Sequence, residues 1–548
     1  MGASADVIVV GAGPVGLTLA AELARHGVRC RIVEKAAAPS PFCRALGVTP
    51  RTLEIYEDMG VSRAMIDAGL WLTGLALAVD DTPMRILPAD YSDLPYGTLG
   101  IPQPETERIL ASHLAGFGIT VERGVAVTGL VQAGDTVRLE LATADGGADV
   151  AHARFVVGCD GAHSTVRHVL GIAFEGDAFP YPFMLGDVRL AFTGALAPPR
   201  GVALRLIRTR EDTAPDMFIA IPLPEHGRYR VSMLAPERLA GAQPSGAPAD
   251  ASSHGIQSER PGPSLADIQE VAERLAPGQM RVDDLRWSSQ FRISMRLAAR
   301  YGAGQVFLAG DACHIHPPTG GQGMNTGIQD AYNLAWKLAL VMQGRAPVRL
   351  LDSYEAERRP VAAEVIARTL ADSVRIGAPA GPRDRLADTQ IRVSYAGLAG
   401  AALVEGASGD GLPGDRPPVA GDRAPDAAGL RRRGLGAPLR VFELLRGTDF
   451  VALLMLDGTQ EGLAAAEAFA AHLRATGLPI RTVGVAPAGA DLPDPFGMSL
   501  LEDAAGAFAA AYRLGIREGV IVRPDGYVAF RGPAERKVDA LRRATGIV

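Results

Sequence analysis

Cysteine is scarce in this chain: four occur among 548 residues, at positions 30, 43, 159 and 313, and none forms a C-x-x-C pair. That excludes a disulfide framework and dithiol redox chemistry, and makes a reducing cytoplasm the expected compartment. An excess of positive charge is missing as well. Lys and Arg number 55 against 61 Asp and Glu, a formal net charge of −6, whereas a general nucleic-acid binder carries a basic footprint. Long hydrophobic runs are also lacking. The first, residues 7–10, follows Asp6 and is far shorter than a signal h-region or a membrane span. Neither nucleic acid nor membrane is an expected partner. What is present is ordinary globular composition, 47% hydrophobic and 21% charged. Glycine (64) and proline (39) are plentiful but stay below the roughly 25–30% that marks disorder, so many loops on a folded body are expected. At roughly 150 residues per domain, the length suggests three or four units.

The first informative stretch is Asp6-Val7-Ile8-Val9-Val10, a β-branched run suited to a strand buried on both faces. Gly11-Ala12-Gly13-Pro14-Val15-Gly16 follows, then Leu17, Ala20, Leu23 and Ala24 at helical spacing, with Gly27 where a helix ends. A second strand, Arg31-Ile32-Val33, finishes at Glu34-Lys35. This is a β-α-β unit with G-x-G-x-x-G at its first turn and an acid about twenty residues on. Gly11 allows the tight turn, Gly13 lets backbone approach a pyrophosphate, and Gly16 lets helix and strand pack closely. The helix start offers N–H groups and a positive dipole to phosphate, and Glu34 can accept the hydroxyls of an adenosine ribose. A lone glycine fingerprint is weak evidence, but here strand, turn, helix, strand and acid stand in order. The chain begins by binding a dinucleotide.

Two further stretches repeat the strand-then-acid pattern. Phe155-Val156-Val157-Gly158-Cys159-Asp160-Gly161 is one, and Val306-Phe307-Leu308-Ala309-Gly310-Asp311 is the other. The second continues through His314-Ile315-His316-Pro317-Pro318-Thr319-Gly320-Gly321-Gln322-Gly323-Met324-Asn325 into a helix marked by Ile328, Ala331, Ala335, Leu338 and Met342. A glycine-rich loop feeding a helix is again an anion site. A ligand long enough to touch both glycine turns is implied if they belong to one fold.

Together these stretches resemble the three signatures of the group A flavoprotein monooxygenases, the single-component FAD-dependent aromatic hydroxylases. Residues 43–54, 103–107, 336–338 and 354–360 are similar to the phenol hydroxylase and aromatic polyketide hydroxylase branch. The resemblance implies an α/β fold: a Rossmann-like FAD-binding domain of the para-hydroxybenzoate hydroxylase type, an inserted mostly antiparallel sheet for substrate, and a thioredoxin-like C-terminal domain. The expected boundaries are 1–70, 100–180 and 281–376 for the FAD domain, 71–99 and 181–280 for the substrate domain, 377–436 for a linker, and 437–548 for the last domain. It implies bound FAD, with NADPH or NADH and O2 as co-substrates. An electron-rich, polycyclic ring is favoured by the apolar wall and the long loop at 239–264, and the implied oxygen donor is a flavin C4a-hydroperoxide. By resemblance, Arg44 and Gln103 contact the FAD chain, Asp160-Gly161 lies near both FAD and the nicotinamide donor, and Asp311 bonds ribityl or ribose hydroxyls. Residues 317–323 with Met324 and Asn325 face the flavin ring, so Arg44, Pro317 and Gly320 form the reactive environment without a protein base. Candidate substrate contacts are Trp71, Met184, Met217, Phe218, Trp287 and Pro317. Oxygenative inactivation of an antibiotic or Baeyer–Villiger oxygenation on the same scaffold stays open, as does a flavin-binding sensor without turnover and self-association.

Other readings fall away on chemistry. His314 and His316 with Asp311 lack a well-placed third metal ligand, so no metal is expected. Asp160, His163 and Ser164 lack a G-x-S-x-G elbow, and nearness in sequence is not triad geometry. Trp336 reads as core, and Arg431-Arg432-Arg433 as a solvated run. In the last segment, residues 450–456 and 482–486 read as strands, 463–475 as a helix, and 519–530 as a hairpin turning on Pro524-Asp525-Gly526.

Overall fold

The computed structural model describes residues 5–40, 45–178, 183–193, 196–209, 216–235, 255–256, 262–292, 294–317, 321–374, 384, 386–402 and 411–533. The chain opens with strand β1 (Ala5–Val10), helix α1 (Pro14–Arg25) and strand β2 (Cys30–Glu34), with β1 and β2 parallel. Proline at the first helical position starts α1, and Gly27, in the left-handed region at φ +75°, follows its end. β1 pairs on its other side with β3 (Ala148–Gly158), again in parallel. Val7, Val9, Phe155 and Val157 are all buried, as strands covered on both faces require.

The second sheet is mostly antiparallel. It is built from β4 (Phe183–Phe192), β5 (Val202–Arg208), β6 (Asp216–Pro222) and β7 (Arg228–Leu234), covered on one face by α2 (Leu265–Leu275) and joined by β8 (Met280–Arg292). Strands Gly74–Val79 and Arg85–Pro88 extend its far edge, the former pairing in parallel with β5. β8 pairs along β4 from Met280 to Phe291, interrupted by a register shift at 284–286, so this sheet runs past residue 280, the end expected for it. The reason is physical: β8 is a long strand whose partner lies in the inserted sheet. The loop expected over 239–264 falls almost wholly outside the described residues.

The chain then returns to the first sheet. β9 (Val306–Leu308) lies beside β3 in parallel, giving the order β9-β3-β1-β2 at its centre. Two long helices follow, α3 (Gln322–Met342) and α4 (Asp352–Val374). α3 is buried nearly all round. Residues 377–436 are not a solvated tether where they are described, because Ile391, Tyr395, Ala402, Asp422, Ala424 and Leu430 are buried.

The last sheet centres on β10 (Phe450–Met455), followed by α5 (Gln460–Arg474), β11 (Ile480–Pro487), and the antiparallel hairpin β12 (Glu518–Val522) and β13 (Val528–Pro533). β10 and β11 are parallel, while β12 is antiparallel to β10. Leu430–Arg431 adds an edge strand, so this unit starts before residue 437. Trp336 of α3 is 1% exposed and meets Phe450 of β10 edge-on, with ring centroids 5.7 Å apart. The first and last units thus share one core. Among the described residues, no helix is long and apolar enough to cross a membrane.

Candidate cofactor and substrate site

Three motifs far apart in sequence meet at one sheet edge. Val10 is in register with Gly158, and Gly158 with Leu308, so the turns after β1, β3 and β9 emerge side by side. Their main chains touch. A Cβ on Gly11, whose φ is +102°, would lie 2.4 Å from the Cys159 carbonyl oxygen, and one on Gly16 would lie 1.9 Å from that of Gly11. A Cβ on Gly310 would lie 2.8 Å from Val15, and one on Gly327 of α3 would lie 2.9 Å from the Gly310 Cα. Gly13 differs: nothing lies within 4 Å of its Cβ position. That vacancy at the start of α1 suits a pyrophosphate on the helix N-terminus, with Pro14 buried behind it.

Glu34 closes the turn. Its carboxylate accepts from the Ala12 N–H at 2.8 Å and the Ala36 N–H at 2.9 Å, which holds it beside the glycine turn with lone pairs left for ribose hydroxyls. Lys35 points to solvent. Asp160 accepts from Ser164 Oγ at 2.5 Å and the Val166 N–H at 3.2 Å. Burial raises its pKa, partly opposed by those donors. Ser164 caps the short helix Thr165–Val169 by accepting from the Arg167 N–H, so the Asp160–Ser164 contact is a cap and not a nucleophile. Gly161 is open and left-handed at φ +80°. Buried Arg167 donates to the Ala162 and Ala312 carbonyls, tying the second motif to the third.

In the third motif Gly310 is left-handed at φ +65°, and Asp311 stands half-buried in the following turn with no hydrogen bond to a described side chain. Pro317 is buried. Arg44, Pro318 and Gly320 lie outside the described residues. Gly321, at φ +65°, precedes α3, and no side chain caps that helix, leaving its first N–H groups to an anionic ligand. Asn325 organises the loop: it donates to the Gly47 and Gly321 carbonyls and accepts from the Thr49 N–H. Gln322 donates to the Asp388 carbonyl, Gly323 faces His316, and Met324 packs on the core. Gln103 accepts from the Ala45 N–H and donates to Glu107. The open Gly13, the held Glu34, Asp311 without a described side-chain hydrogen bond and the uncapped α3 together fit an extended dinucleotide.

Cys313, His314 and Asp330 bring three potential metal ligands within 4.8 Å. Asp330, however, already accepts from His314, the Gly310 N–H and the Arg358 guanidinium, so both of its oxygens are engaged in hydrogen bonds.

The second sheet offers two different faces. Met184 and Phe218 are fully buried in the core against Ile268 and Val271 of α2. Their expected role as substrate contacts therefore gives way to packing, because strand alternation sends them to the covered face. The opposite face carries an apolar patch, Phe183 and Met217 with Leu185, Ile219 and Leu234. β4 is entered from strand Phe174–Ala178 and β8 leads into Ser294–Ala298; both join a small sheet with His314–Ile315, so this patch is at the end nearest the third motif. Four residues along, about 13 Å at ~3.3 Å per residue, Asp187 accepts from Arg230 at 2.6 Å and from the Trp287 indole at 2.7 Å. Trp71 is 38% exposed on the strand Leu70–Leu72. Sequence reasoning missed Arg167, Gly327, Asp330 and Arg358. For Asp330 the visible signal is a polar stripe, Thr326, Asp330, Asn333 and Lys337, on a helix otherwise patterned for burial.

Two family models match the chain: an FAD binding domain over residues 4–369 and an aromatic-ring hydroxylase C-terminal domain over residues 417–547. A flavin-dependent monooxygenase of Mycobacteroides abscessus is 35% identical, over 82% of this chain and 88% of its own length. A rifampicin monooxygenase of Streptomyces venezuelae is 38% identical, over 69% and 73%. The solved ternary complex of aklavinone-11 hydroxylase with FAD and aklavinone superposes with a TM-score of 0.77 at 26% identity, covering 100% of both chains.

Proposed function

The chain belongs to the FAD-dependent aromatic-ring hydroxylases, and we propose that it hydroxylates an electron-rich polycyclic phenol held between the Pro317 end of the third motif and the face of the second sheet opposite α2. The observation that carries this reading is the meeting of the Gly11, Asp160 and Gly310 turns at one sheet edge. When bound, FAD supplies hydride acceptance from NAD(P)H and activation of O2. The rest is the protein's work. Gly13 and the start of α1 take the pyrophosphate, Glu34 the adenosine ribose, Asp311 the ribityl or ribose hydroxyls, and Arg44 and Gln103 the connecting chain. The uncapped N-terminus of α3 presents N–H donors to the negative charge of the reduced ring.

Phe183, Met217 and their apolar neighbours orient the substrate ring and keep water away. The distance of about 13 Å to the Asp187–Arg230–Trp287 group leaves length for several fused rings, in keeping with the likeness to an enzyme solved with aklavinone. A phenol carries its own nucleophilicity, so no protein base is assigned. Cysteines are few, and the described ones, Cys30, Cys159 and Cys313, are buried, which fits a cytoplasmic home.

The purified protein is expected to be yellow, and a panel of phenols and polycyclic aromatics to stimulate NADPH oxidation with one oxygen atom added to the product. Colourless protein that ignores added FAD, or oxidation that no aromatic stimulates, overturns the reading. The likeness to a rifampicin monooxygenase supports a second one, oxygenation of an antibiotic. Product mass and ring integrity after incubation with a naphthalenic or tetracyclic antibiotic separate the two.

A further inference from the structure

α3 is buried on every side yet carries Thr326, Asp330, Asn333 and Lys337 along one stripe, all of them buried. Buried polar groups are retained at a cost unless they are bonded, and these bonds divide into two sets. Toward the C-terminal unit, Glu357 of α4 accepts from Asn333, Lys337 and Arg523. Toward the cofactor edge stands Asp330. One of its oxygens accepts from His314 Nε2 at 2.6 Å and the Gly310 N–H at 3.2 Å; the other accepts from Arg358 Nε at 2.8 Å. Arg358 is itself held by the Tyr395 hydroxyl and the Thr326 carbonyl.

We infer that Asp330 is a positioning residue for the Gly310–Asp311 turn, and through it for the side chain that engages FAD. Gly310 is the left-handed residue that aims Asp311 out of the sheet, and its N–H is grasped by a carboxylate fixed to α3. One turn earlier, Gly327 removes the Cβ that would push Gly310 away. The same helix therefore sets Gly310 by contact and by charge, and its uncapped N-terminus is the one read above as the partner of the reduced ring. Arg358 neutralises the carboxylate and His314 helps to orient it, as fixed partners of a working group do. Asp330 touches no cofactor; it acts through one peptide unit.

The inference rests on the reading of Asp311 as an FAD contact, and the test separates the two. Apoprotein is titrated with FAD by flavin fluorescence, and the flavin midpoint potential and melting temperature of each variant are recorded. Asp311→Ala is expected to weaken FAD binding; unchanged affinity overturns the site reading itself. Asp330→Asn is expected to raise the FAD Kd at least about tenfold and to shift the midpoint potential, since small misplacements of a binding group carry large losses. Glu357→Gln, equally buried on the neighbouring network, is expected to lower the melting temperature while leaving the FAD Kd within about twofold. If Asp330→Asn fails to fold, His314→Leu removes one donor, leaves the Gly310 and Arg358 bonds, and is expected to weaken FAD by a smaller factor of the same sign. An Asp330 or His314 variant with unchanged FAD affinity overturns the inference. So does a Glu357→Gln protein that loses FAD as much as Asp330→Asn does.

Discussion

At the cofactor edge, glycines let main chain touch main chain: Gly11 against Cys159, Gly16 against Gly11, Gly327 against Gly310. At the joint between α3, α4 and the β12–β13 hairpin, ion pairs sealed from water do the holding. Arg523 donates to Glu357 and Asp525, Lys337 to Glu357, and Arg51 to the Asp525 carbonyl. Both regions bring distant segments together. The first does so by the absence of side chains, which leaves a motif in the sequence. The second does so by charges whose partners lie 166 residues apart, which leaves none. A backbone contact tolerates no added atom, whereas a charge network tolerates an added atom but not a missing partner.

The sharpest way to break this contrast is Gly16→Ala. Its Cβ would sit 1.9 Å from a carbonyl oxygen that cannot swing away, so a loss of about 3 kcal/mol or more is expected in chemical denaturation. Denaturation indistinguishable from the parent would show that the turn is softer than its geometry. Arg523→Met comes next. It strands Glu357 and Asp525, both buried, and a cost of about 3–5 kcal/mol is expected. A neutral result would mean that the joint is packing with incidental charge.

Acid should attack the joint before the turn. Burial alone would raise the Glu357 pKa, but Arg523 and Lys337 more than reverse this and hold it at about 2. Because the folded value lies below the ordinary Glu value of about 4.3, its contribution is complete above that pH and is lost as pH falls toward about 2. Melting temperature followed across that window should fall less in Glu357→Gln than in the parent. The smallest change in stability is expected for Gly13→Ala. This position is extended at φ −73° with nothing within 4 Å, so the melting temperature should hold while FAD binding weakens. A protein that keeps full FAD affinity would remove Gly13 from the site.

The sequence was legible where one residue type has one local reason. Asp6 to Glu34 reads directly as strand, glycine turn, helix, strand and acid, and the Pro524-Asp525-Gly526 turn reads as a hairpin. Met184 and Phe218 were not legible in the same way. Alternation along β4 and β6 says that two faces exist, but only the placement of α2 decides which one is covered. The extent of β8 likewise depended on its partner β4, and the burial of Tyr395 and Asp422 on the units packing around them.

The amino-acid sequence by itself determined the class of cofactor, through steric demands that only glycine meets at Gly11, Gly16 and Gly310, and that residues 437–548 carry no dithiol, since all four cysteines lie at or before 313. Tertiary structure alone decided that Asp330 reaches Gly310, that Arg523 reaches Glu357, and which face of the second sheet α2 covers. The physical reason is range. Backbone sterics act between neighbours and mark the residues that must satisfy them, whereas a buried charge needs only some partner, and the fold chooses which.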